Sequence, residues 1–433
     1  MSTDAVAALG FVSLFELMML RVPVGIAMGS VGVLGFAFII GDIGPALKLL
    51  SQSPIRTATD AEFAVIPLFL LMGAFASASG MSRELFRASN TFLGHLRGGL
   101  GVATIAACGG FAAICGSSVA TAATFSKIAY PEMRHAGYPQ SFATGVIAAG
   151  GSLGIMIPPS TVFAVYGLIT EQDIGKLFIA GVVPGILAVA MYVATINIIS
   201  WVRPGFLPKT PRHSWAERIA SLRDIWAVVL LFIFIIGGLY GGLFTATEAA
   251  GMGAGGAFII ALVRRKLSRS DFWSCLVESL RTTAAVFTIL IGALIFGYFL
   301  TVTQTPQKLT SFLTELGLGP YGVLTLIMLM YLVLGCIMDA MAMIILTIPI
   351  VFPVIKELGF DPIWFGVIIV MTVELGLIHP PVGMNVFVIK SVIRDVKLST
   401  IFYGVMPFVV TDILRLIILI MFPILATWLP SHM

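Results

Sequence analysis

The sequence predicts an all-α polytopic membrane protein, built as an inverted repeat with two re-entrant helical hairpins and about ten spanning segments. The first observation is composition: 58% of the 433 residues are hydrophobic and 11% are charged, whereas soluble globular chains carry about 25% charged residues. The second is a pair of apolar stretches interrupted by polar clusters, and the third is a long match of the chain with itself. A hydrocarbon-facing surface explains the composition, because a soluble protein of this size needs a polar surface.

Ten apolar segments are long enough to cross a bilayer as helices, which takes about 20 residues. The first is interpreted as a span and not as a signal peptide, since it lacks a basic region and a small-residue cleavage site. The predicted spans lie at roughly 5–20, 22–40, 62–80, 141–168, 177–200, 225–243, 246–263, 283–303, 362–390 and 400–428.

Two further apolar stretches, 99–128 and 319–355, carry polar or helix-breaking clusters near their middles. These clusters are CGSSVAT at 115–121 and GCIMDAM at 335–341. Non-helical backbone at membrane depth is tolerated where it is buried in protein or lines a cavity. Each stretch is therefore predicted to be a re-entrant hairpin that enters and leaves the membrane on the same side.

Lys and Arg concentrate in segments 81–98, 201–224 and 264–270, which are predicted to face the cytoplasm. Tracing the chain from these anchors places both termini outside. Segments 81–98 and 264–282 also mix Arg with Leu and Phe, which is typical of helices that lie in the interface plane. Such helices could brace a fixed scaffold against a moving unit.

The chain aligns with itself at a shift of 222 residues. Residues 128–160 (IAYPEMRHAGYPQSFATGVIAAGGSLGIMIPPS) match 350–382 without a gap, and Pro158-Pro159 meets Pro380-Pro381. In the same register Ser117 aligns with Asp339. Because the predicted topology sends the two matching segments in opposite directions, the halves are inverted copies. Inverted repeats with broken helices are typical of secondary transporters, whereas shared membrane composition is the alternative explanation of the match.

This organisation divides the chain into five parts. They are first-half scaffold helices and an interfacial arm (1–98), a first transport unit with hairpin and broken helix (99–168), scaffold helices with a cytoplasmic loop and second arm (169–318), a second transport unit (319–390) and a C-terminal helix (391–433).

Two Gly- and Pro-rich segments, 150–160 and 374–385, are predicted to break their helices inside the membrane. Proline removes N–H donors and releases carbonyls one turn earlier, and hard cations such as sodium take oxygen ligands. The hairpin tips would add Ser117, Ser118 and Thr121 on one side and Asp339 on the other. The pattern predicts two quasi-equivalent cation sites with an organic anion between them, held in part by helix N-termini.

Each of these polar residues also has a structural interpretation. Serine and threonine often bond a backbone carbonyl one turn back, and Asp339, an intramembrane acid and hence functional by default, could instead sit at a shallow tip. Glu374 and Asn385 could bind substrate or cation, or tie helices together. His379 could sense protons or simply pack, and Glu248 is expected to cap a helix more than to bind substrate.

Enzyme signatures are missing from the sequence. It contains no GxxxxGK[ST], HExxH or GxSxG pattern, and no basic–aromatic patch of the kind that binds nucleic acid. We therefore expect a protein that is not an enzyme, binds no nucleic acid and uses no cofactor beyond Na⁺ as coupling ion.

At these motifs the sequence resembles the large membrane subunit (DctM-like) of tripartite ATP-independent periplasmic (TRAP) transporters. The resemblance rests on GGSLGIMIPPS, ELGLIHPPVGMN, CGSSVATAA, TEAAGMGA and IPLFLLMGAFASASG, and it extends from RVPVGIAMG at 21–29 to the last helix.

The resemblance implies a multi-pass protein of the bacterial inner membrane that takes up a small organic anion by sodium symport and an elevator movement. It implies two protein partners besides membrane lipid: a separate small four-helix membrane subunit and a periplasmic substrate-binding protein. The substrates of the family are mostly carboxylates, with C4-dicarboxylates, sialic acids, keto acids, sugar acids and sulfonates all represented. A stand-alone sodium–carboxylate symporter is the first alternative, and a channel or membrane enzyme is the second.

Matching motifs then assign residues. The residues predicted for one sodium site are Ser117, Ser118, Gly150, Gly151, Gly154 and Pro158. Those predicted for the other are Asp339, Met341, Gly376 and Pro380. The substrate-binding residues are predicted to be Ser117, Ser118, Asp339, Glu374 and Asn385.

Overall fold

The fold is entirely helical in a computed structural model that describes residues 2–315, 317–336 and 338–433, without the side chain of Thr314; those ranges contain no β-strand. The helices are α1 (Thr3–Met19), α2 (Val24–Ile40), α3 (Ile43–Thr59), α4 (Val65–Ala78), α5 (Met81–Leu93), α6 (Gly99–Cys115), α7 (Ser118–His135), α8 (Gln140–Met156), α9 (Thr161–Thr170), α10 (Ile174–Val202), α11 (Trp215–Asp224), α12 (Trp226–Tyr240), α13 (Ala246–Val263), α14 (Arg269–Val302), α15 (Thr305–Glu315), α16 (Gly319–Gly335), α17 (Ala340–Glu357), α18 (Pro362–Ile378), α19 (Met384–Val392), α20 (Leu398–Met421) and α21 (Ile424–Thr427).

By length and composition, seven helical segments of the described chain could cross a membrane, or eight if the bent pair α11–α12 is one span. Further apolar helices are 17 residues long, among them α2 and α18, which fall on predicted spans. The multi-pass helical architecture is therefore confirmed. Hairpin 1 consists of α6 and α7, and hairpin 2 of α16 and α17.

The predicted repeat extends over whole elements. Adding 222 to the bounds of α7 gives 340–357, which are the bounds of α17. The same shift applied to α8 gives the bounds of α18. It also converts α2 into α13 and α1 into α12 to within one residue at each end. The register inferred from Gly and Pro positions thus holds from the first helix to α20.

The two halves run in opposite directions. The α8–α9 segment forms one span; Ser152 near its middle donates to Glu374 of α18 at 3.0 Å, and Tyr166 near its end donates to the carbonyl of Pro362 at the start of α18. Equivalent helices that cross antiparallel are related by a two-fold axis perpendicular to them. The inverted orientation predicted from the basic loops is therefore present in the fold.

Glycines allow the scaffold helices to approach closely. A Cβ atom on Gly25 of α2 would lie 2.3 Å from the carbonyl oxygen of Thr288, and one on Gly292 would lie 2.0 Å from that of Gly25. Small residues at such contacts let membrane helices gain dispersion energy from backbone contact. Helix α2 thereby packs along α14, and its counterpart α13 packs along α4.

One predicted element is wrong and two helices were not predicted. Segment 264–282 is not a separate interfacial helix, because α14 continues without a break from Arg269 to Val302. Phe272 of this segment packs inside the protein, where it stacks on Phe75 and contacts Phe258, whereas Trp273 and Leu280 are exposed. Helices α3 and α15 occupy segments that the sequence left unassigned, since their amphipathic patterns are too polar for a span.

The arm at 81–98 contains the predicted amphipathic helix, α5. Its apolar side packs on α6 and α11, and its Glu84 pairs with Arg264 at 2.7 Å and Lys266 at 2.6 Å. The arm is thus tied to the basic loop that precedes α14.

Helices α10 and α20 pack directly on α8 and α18. The predicted boundaries placed both in segments outside the transport units (169–318 and 391–433). At the contact between α8 and α20, a Cβ atom on Gly145 would lie 2.1 Å from the Gly404 carbonyl oxygen, and one on Gly404 would lie 1.8 Å from that of Ser141. This glycine pair fixes α20 against the first broken helix.

Gly404→Ala is expected to destabilise the protein by about 1–3 kcal/mol, because the added methyl group overlaps a rigid backbone carbonyl. Gly297→Ala is the matched control, since no atom lies within 4 Å of its added Cβ. Thermal unfolding of the purified protein in detergent measures both. Equal melting temperatures for the two variants would contradict the close approach of α8 and α20.

Candidate functional site

The two hairpin tips meet at one cavity of about 650 Å³, called here the tip cavity. Ser117 and Ser118 line it from hairpin 1, and Asp339 and Met341 line it from hairpin 2. The opposite wall consists of small residues of α4 and a polar side of α14. The structure therefore brings together the tip residues that the sequence predicted.

The tip of hairpin 1 and the break after α8 satisfy each other's backbone. Gly116, whose φ is +63°, accepts a hydrogen bond at its carbonyl from the Thr161 hydroxyl at 2.9 Å. The Ser160 hydroxyl donates to the carbonyl of Ile155 at 2.6 Å and thus takes up a carbonyl left free by the break. Buried backbone groups require such partners in a membrane.

The serines of this tip have different environments. Ser117 is the N-cap of α7, and its hydroxyl accepts from the amide of Ala120 at 3.3 Å. Thr121 donates to the carbonyl of Ser117 at 2.8 Å, so its hydroxyl bonds the backbone one turn back, which is the structural alternative to ligand binding. Ser118 is 4% exposed, and its hydroxyl has no hydrogen-bond partner in the described part of the chain. It is the tip hydroxyl that is free for a ligand.

Asp339 occupies the corresponding place in hairpin 2. It is the N-cap of α17, where it accepts from the amide of Ala342 at 3.2 Å, and it lines the tip cavity. A carboxylate needs one oxygen for this cap and keeps a second for another partner. Ile337, in the middle of the predicted tip, lies outside the described residues.

The breaks are shorter than predicted. Helix α8 continues through Gly150, Gly151 and Gly154 to Met156, and α18 continues through Gly376 to Ile378, so these glycines are helical and the breaks are 157–160 and 379–383. The physical reason is that the glycines provide close contact and not a break. A Cβ atom on Gly150 would lie 2.6 Å from the Cys108 sulfur, and one on Gly151 would lie 2.8 Å from the Ala122 Cβ. A Cβ atom on Gly154 would lie 2.5 Å from the Ser117 carbonyl oxygen.

The second break also contacts its own hairpin, but here the donor lies on the tip and the acceptor on the break. Gly376 lies against Gly335 of hairpin 2, with a Cβ–Cα distance of 3.0 Å. The carbonyl of Pro380 is 3.7 Å from the Cys336 sulfur and contacts the His379 ring. Both Pro158-Pro159 and Pro380-Pro381 have a cis peptide bond.

Glu374 ties helices together. It is fully buried and does not line the tip cavity. Ser152 donates to its Oε1, and Arg415 of α20 donates to its Oε2 at 2.9 Å. Because Ser152 and Glu374 are 222 residues apart, this contact joins equivalent positions at the pseudo-two-fold axis.

Sequence analysis missed the rest of this buried cluster. Arg415 also pairs with Asp412 at 2.9 Å, and the Tyr192 hydroxyl donates to Asp412 at 2.7 and 2.8 Å. The available signal was an acid and an arginine three residues apart in the apolar span 400–428, since intramembrane charges are rare and face a partner.

Asn385, near the start of α19, is fully buried. Neither its amide oxygen nor its amide nitrogen has a hydrogen-bond partner among the described residues. Gly383 provides no side-chain cap for this helix. Unpaired buried amides are uncommon, and Asn385 is thus a polar group available near the second break, behind the cavity wall.

Sequence analysis also missed charged residues of the tip cavity. Lys127 of α7 lines it on the hairpin side, and Asp271 and Glu278 of α14 line it on the opposite wall. Glu248, by contrast, caps α13 in a reciprocal pair with Thr245, as expected. Within the described ranges no three or more His, Cys, Asp or Glu side chains form a metal-binding group, so a cation here would depend mainly on hydroxyl and carbonyl oxygens.

Comparisons with known proteins agree with this architecture. The family model described as "Tripartite ATP-independent periplasmic transporter, DctM component" matches residues 11–425. The chain is 40% identical to the C4-dicarboxylate TRAP transporter large permease protein DctM of Pseudomonas aeruginosa, covering 93% of this chain and 92% of that protein. It is 31% identical to the sialic acid TRAP transporter large permease protein SiaM of Vibrio cholerae, covering 94% and 95%.

A solved structure shares the fold. The YdaH transporter of Alcanivorax borkumensis superposes with a TM-score of 0.60 at 15% identity, covering 89% of each chain.

Arg415→Met is expected to destabilise the protein by about 3–5 kcal/mol, because it leaves Glu374 and Asp412 buried without their cation. Arg394→Met, the same change at an exposed position, serves as the control and should leave stability nearly unchanged. Thermal unfolding in detergent gives the comparison. An Arg415→Met variant as stable as the control would mean that the cluster is not an ion-paired unit.

Proposed function

The chain belongs to the tripartite ATP-independent periplasmic transporter family as its DctM component, and we propose that it performs sodium-coupled uptake of a small organic acid delivered by a periplasmic binding protein. The observation that supports this most directly is the inverted repeat whose two hairpin tips meet in one cavity. Secondary transporters place substrate and coupling ions between such repeats near the bilayer midplane. A protein of this family is a permease and not an enzyme.

The named relatives support an acidic substrate. Three relatives are called C4-dicarboxylate permeases, from Pseudomonas aeruginosa, Vibrio cholerae and Rhodobacter capsulatus. Others are named for sialic acid and 2,3-diketo-L-gulonate. We take a small carboxylate as the substrate class.

Two sodium sites are proposed, one at each tip and break. The free hydroxyl of Ser118 and the carbonyls near Pro158 supply oxygen on one side. The second oxygen of Asp339 and the carbonyls near Pro380 supply it on the other, with Met341 and Gly376 adjacent. Gly150, Gly151 and Gly154 bring α8 close enough for this geometry. Oxygen-only ligation suits a hard cation.

Asn385 and Glu374 complete the proposed site in different ways. The unpaired amide of Asn385 is available to substrate once the second break moves, whereas Glu374 acts by holding α8, α18 and α20 in one unit through Arg415 and Ser152.

The described conformation is proposed to be open to the cytoplasm. The tip cavity extends to Asp271 at the start of α14, next to a loop with four basic residues at 264–269, and basic loops face the cytoplasm. In an elevator movement, the hairpins and broken helices, together with α10 and α20, would slide against α1–α4 and α12–α14.

We place the protein in a bacterial inner membrane with two partners, a small four-helix membrane subunit and the binding protein. The scaffold helices present many exposed apolar side chains to lipid or to the small subunit.

Ser118→Ala and Asp339→Asn are expected to raise the sodium concentration for half-maximal uptake severalfold, because each removes a proposed oxygen ligand. Matched controls are Ser126→Ala, a buried serine of the same helix that bonds the Ala122 carbonyl, and Asp361→Asn, another helix N-cap. Uptake into proteoliposomes over a range of sodium concentrations is the measurement. Sodium activation that is the same in all four variants would refute the site.

Uptake is expected to require the cognate binding protein, since the permease receives substrate from it. The test is sodium-driven accumulation in proteoliposomes of the permease and small subunit, with and without that protein. Equal accumulation without it would identify a stand-alone sodium–carboxylate symporter, and passive leak without accumulation would indicate a channel.

A further inference from the structure

A groove on the membrane-facing surface lies between α8, α10 and α20, and is called here the α10–α20 groove. Its volume is about 410 Å³, and apart from Arg203 its lining consists of uncharged, mostly apolar residues. Ile198 and Val202 line it from α10, and Tyr403 and Val410 line it from α20; all four side chains are exposed. Both helices are long and apolar enough to span a bilayer, so the groove opens towards lipid.

The groove extends from the interior of the membrane to one surface. At its deep end the hydroxyls of Thr195 and Thr411 are hydrogen-bonded at 2.5 Å, which joins α10 to α20. From this contact the lining of α10 runs forward to Arg203, and that of α20 runs back to Tyr403. Each path is eight residues long, about 12 Å of helix, and one leaflet of hydrocarbon is about 15 Å deep. The groove thus has nearly the depth of one leaflet.

Backbone packing creates this recess. At Gly404, α20 approaches α8 so closely that an added Cβ atom would lie 1.8 Å from the Ser141 carbonyl oxygen. Gly404 has no side chain to fill the space outside this contact, and Phe142 and Pro407 line it instead. The shape of the groove therefore follows from the contact between the two helices.

The mouth of the groove is basic. Arg203 is the C-cap of α10, and its guanidinium carbon lies 5.5 Å from the centroid of the Phe206 ring. Two more exposed basic residues, Lys209 and Arg212, follow in the same loop, and exposed Lys397 precedes α20. Basic residues directly cytoplasmic of a spanning helix attract anionic lipid headgroups.

The acidic residues of the loop at 203–225 have other partners. Glu217 caps α11 in a reciprocal pair with Ser214, and Asp224 lies 3.7 Å from Arg87 of α5. Within the described part of the chain, Arg203 forms no ion pair with a carboxylate. A ligand with a negative charge would therefore complete the mouth of the groove.

We propose that the α10–α20 groove binds an anionic phospholipid of the cytoplasmic leaflet, with an acyl chain between the two helices and the phosphate on Arg203. The apolar lining accepts hydrocarbon, and a guanidinium group binds phosphate through two parallel N–H···O bonds. A zwitterionic lipid carries its own cation beside the phosphate, which weakens its attraction to a basic mouth. The groove shares no lining residue with the tip cavity, so this site is independent of the substrate and the coupling ion.

The experiment titrates the delipidated permease, purified with its small subunit in detergent, with dioleoyl phosphatidylglycerol or dioleoyl phosphatidylcholine. Because the chains are identical, a difference in affinity reports the headgroup. Native mass spectrometry counts bound lipid, and the rise in melting temperature gives the affinity. The wild-type complex is expected to prefer phosphatidylglycerol about tenfold. Arg203→Gln should weaken its binding about 5- to 50-fold, between the contribution of a surface cation and that of a charge-assisted hydrogen bond, and leave phosphatidylcholine unchanged.

Matched variants separate the headgroup contact from the acyl-chain contact. Arg203→Lys keeps the charge and Arg223→Gln removes an exposed arginine outside the groove, so both should keep most of the preference. Val410→Trp fills the deep half of the groove and should weaken both lipids, whereas Ile417→Trp, at an exposed position of α20 outside it, should weaken neither. Arg203→Met and Val410→Phe replace any variant whose melting temperature without lipid shows that it does not fold.

Three results would overturn the proposal. One is equal affinity of the wild-type complex for the two lipids, which would indicate contact with the acyl chains only. Another is an unchanged preference in Arg203→Gln, or unchanged affinity for both lipids in Val410→Trp. A third is lipid that binds the permease alone and not the complex, which would mean that the small subunit covers the groove.

Discussion

Backbone groups freed inside a membrane must be satisfied by the protein itself, and the architecture of this chain depends on that constraint. Each helix break is covered by the tip of the hairpin from the same half. At the first break the Thr161 hydroxyl donates to the Gly116 carbonyl of the tip, and the Ser160 hydroxyl donates to the Ile155 carbonyl within the broken segment. At the second, the Cys336 sulfur of the tip lies 3.7 Å from the Pro380 carbonyl oxygen and 3.3 Å from that of Leu332, and the His379 ring of the break contacts the Pro380 carbonyl. Because each broken helix also packs closely against its own hairpin, at Gly154 and Gly376, hairpin and broken helix form one structural unit in each half.

The parts of this arrangement that sequence could predict are those that need particular residue types. Pro158-Pro159 and Pro380-Pro381 cannot continue a helix, so their spacing of 222 residues was visible and located both breaks. Hairpin tips require polar caps, and Ser117 and Asp339 supply them at equivalent positions. Glycine was a poorer guide, because Gly150, Gly151 and Gly154 serve helix contact and look the same in sequence as glycines in a break.

Contacts between distant segments could not be predicted in the same way. Glu374 has one partner 41 residues away and another 222 residues away, and the sequence alone does not distinguish a ligand from a structural role. Likewise, the predicted end of the interfacial segment at residue 282 was placed where the composition becomes apolar. Helix α14 passes through this position without a break, and Phe272 in its first turns packs against α4 and α13. Lys127 was overlooked because a single lysine in a hairpin carries no periodic signal, and only the cavity reveals its surroundings.

The repeat is a symmetry of the backbone and not of charge. Helix α14 corresponds to α3 and α4, which are separated at Asp60 where α14 has Thr282. Its cavity wall carries Glu278, and the equivalent residue of α3 is the exposed Arg56. The net direction of a coupled carrier follows its gradients, so this difference does not set direction. It changes the potential at each end of the path, since an acidic wall weakens the binding of an anion on its side and a basic surface strengthens it on the other. Under the proposed function, two equivalent half-structures would thus hold the same anion with unequal affinity on the two sides of the membrane.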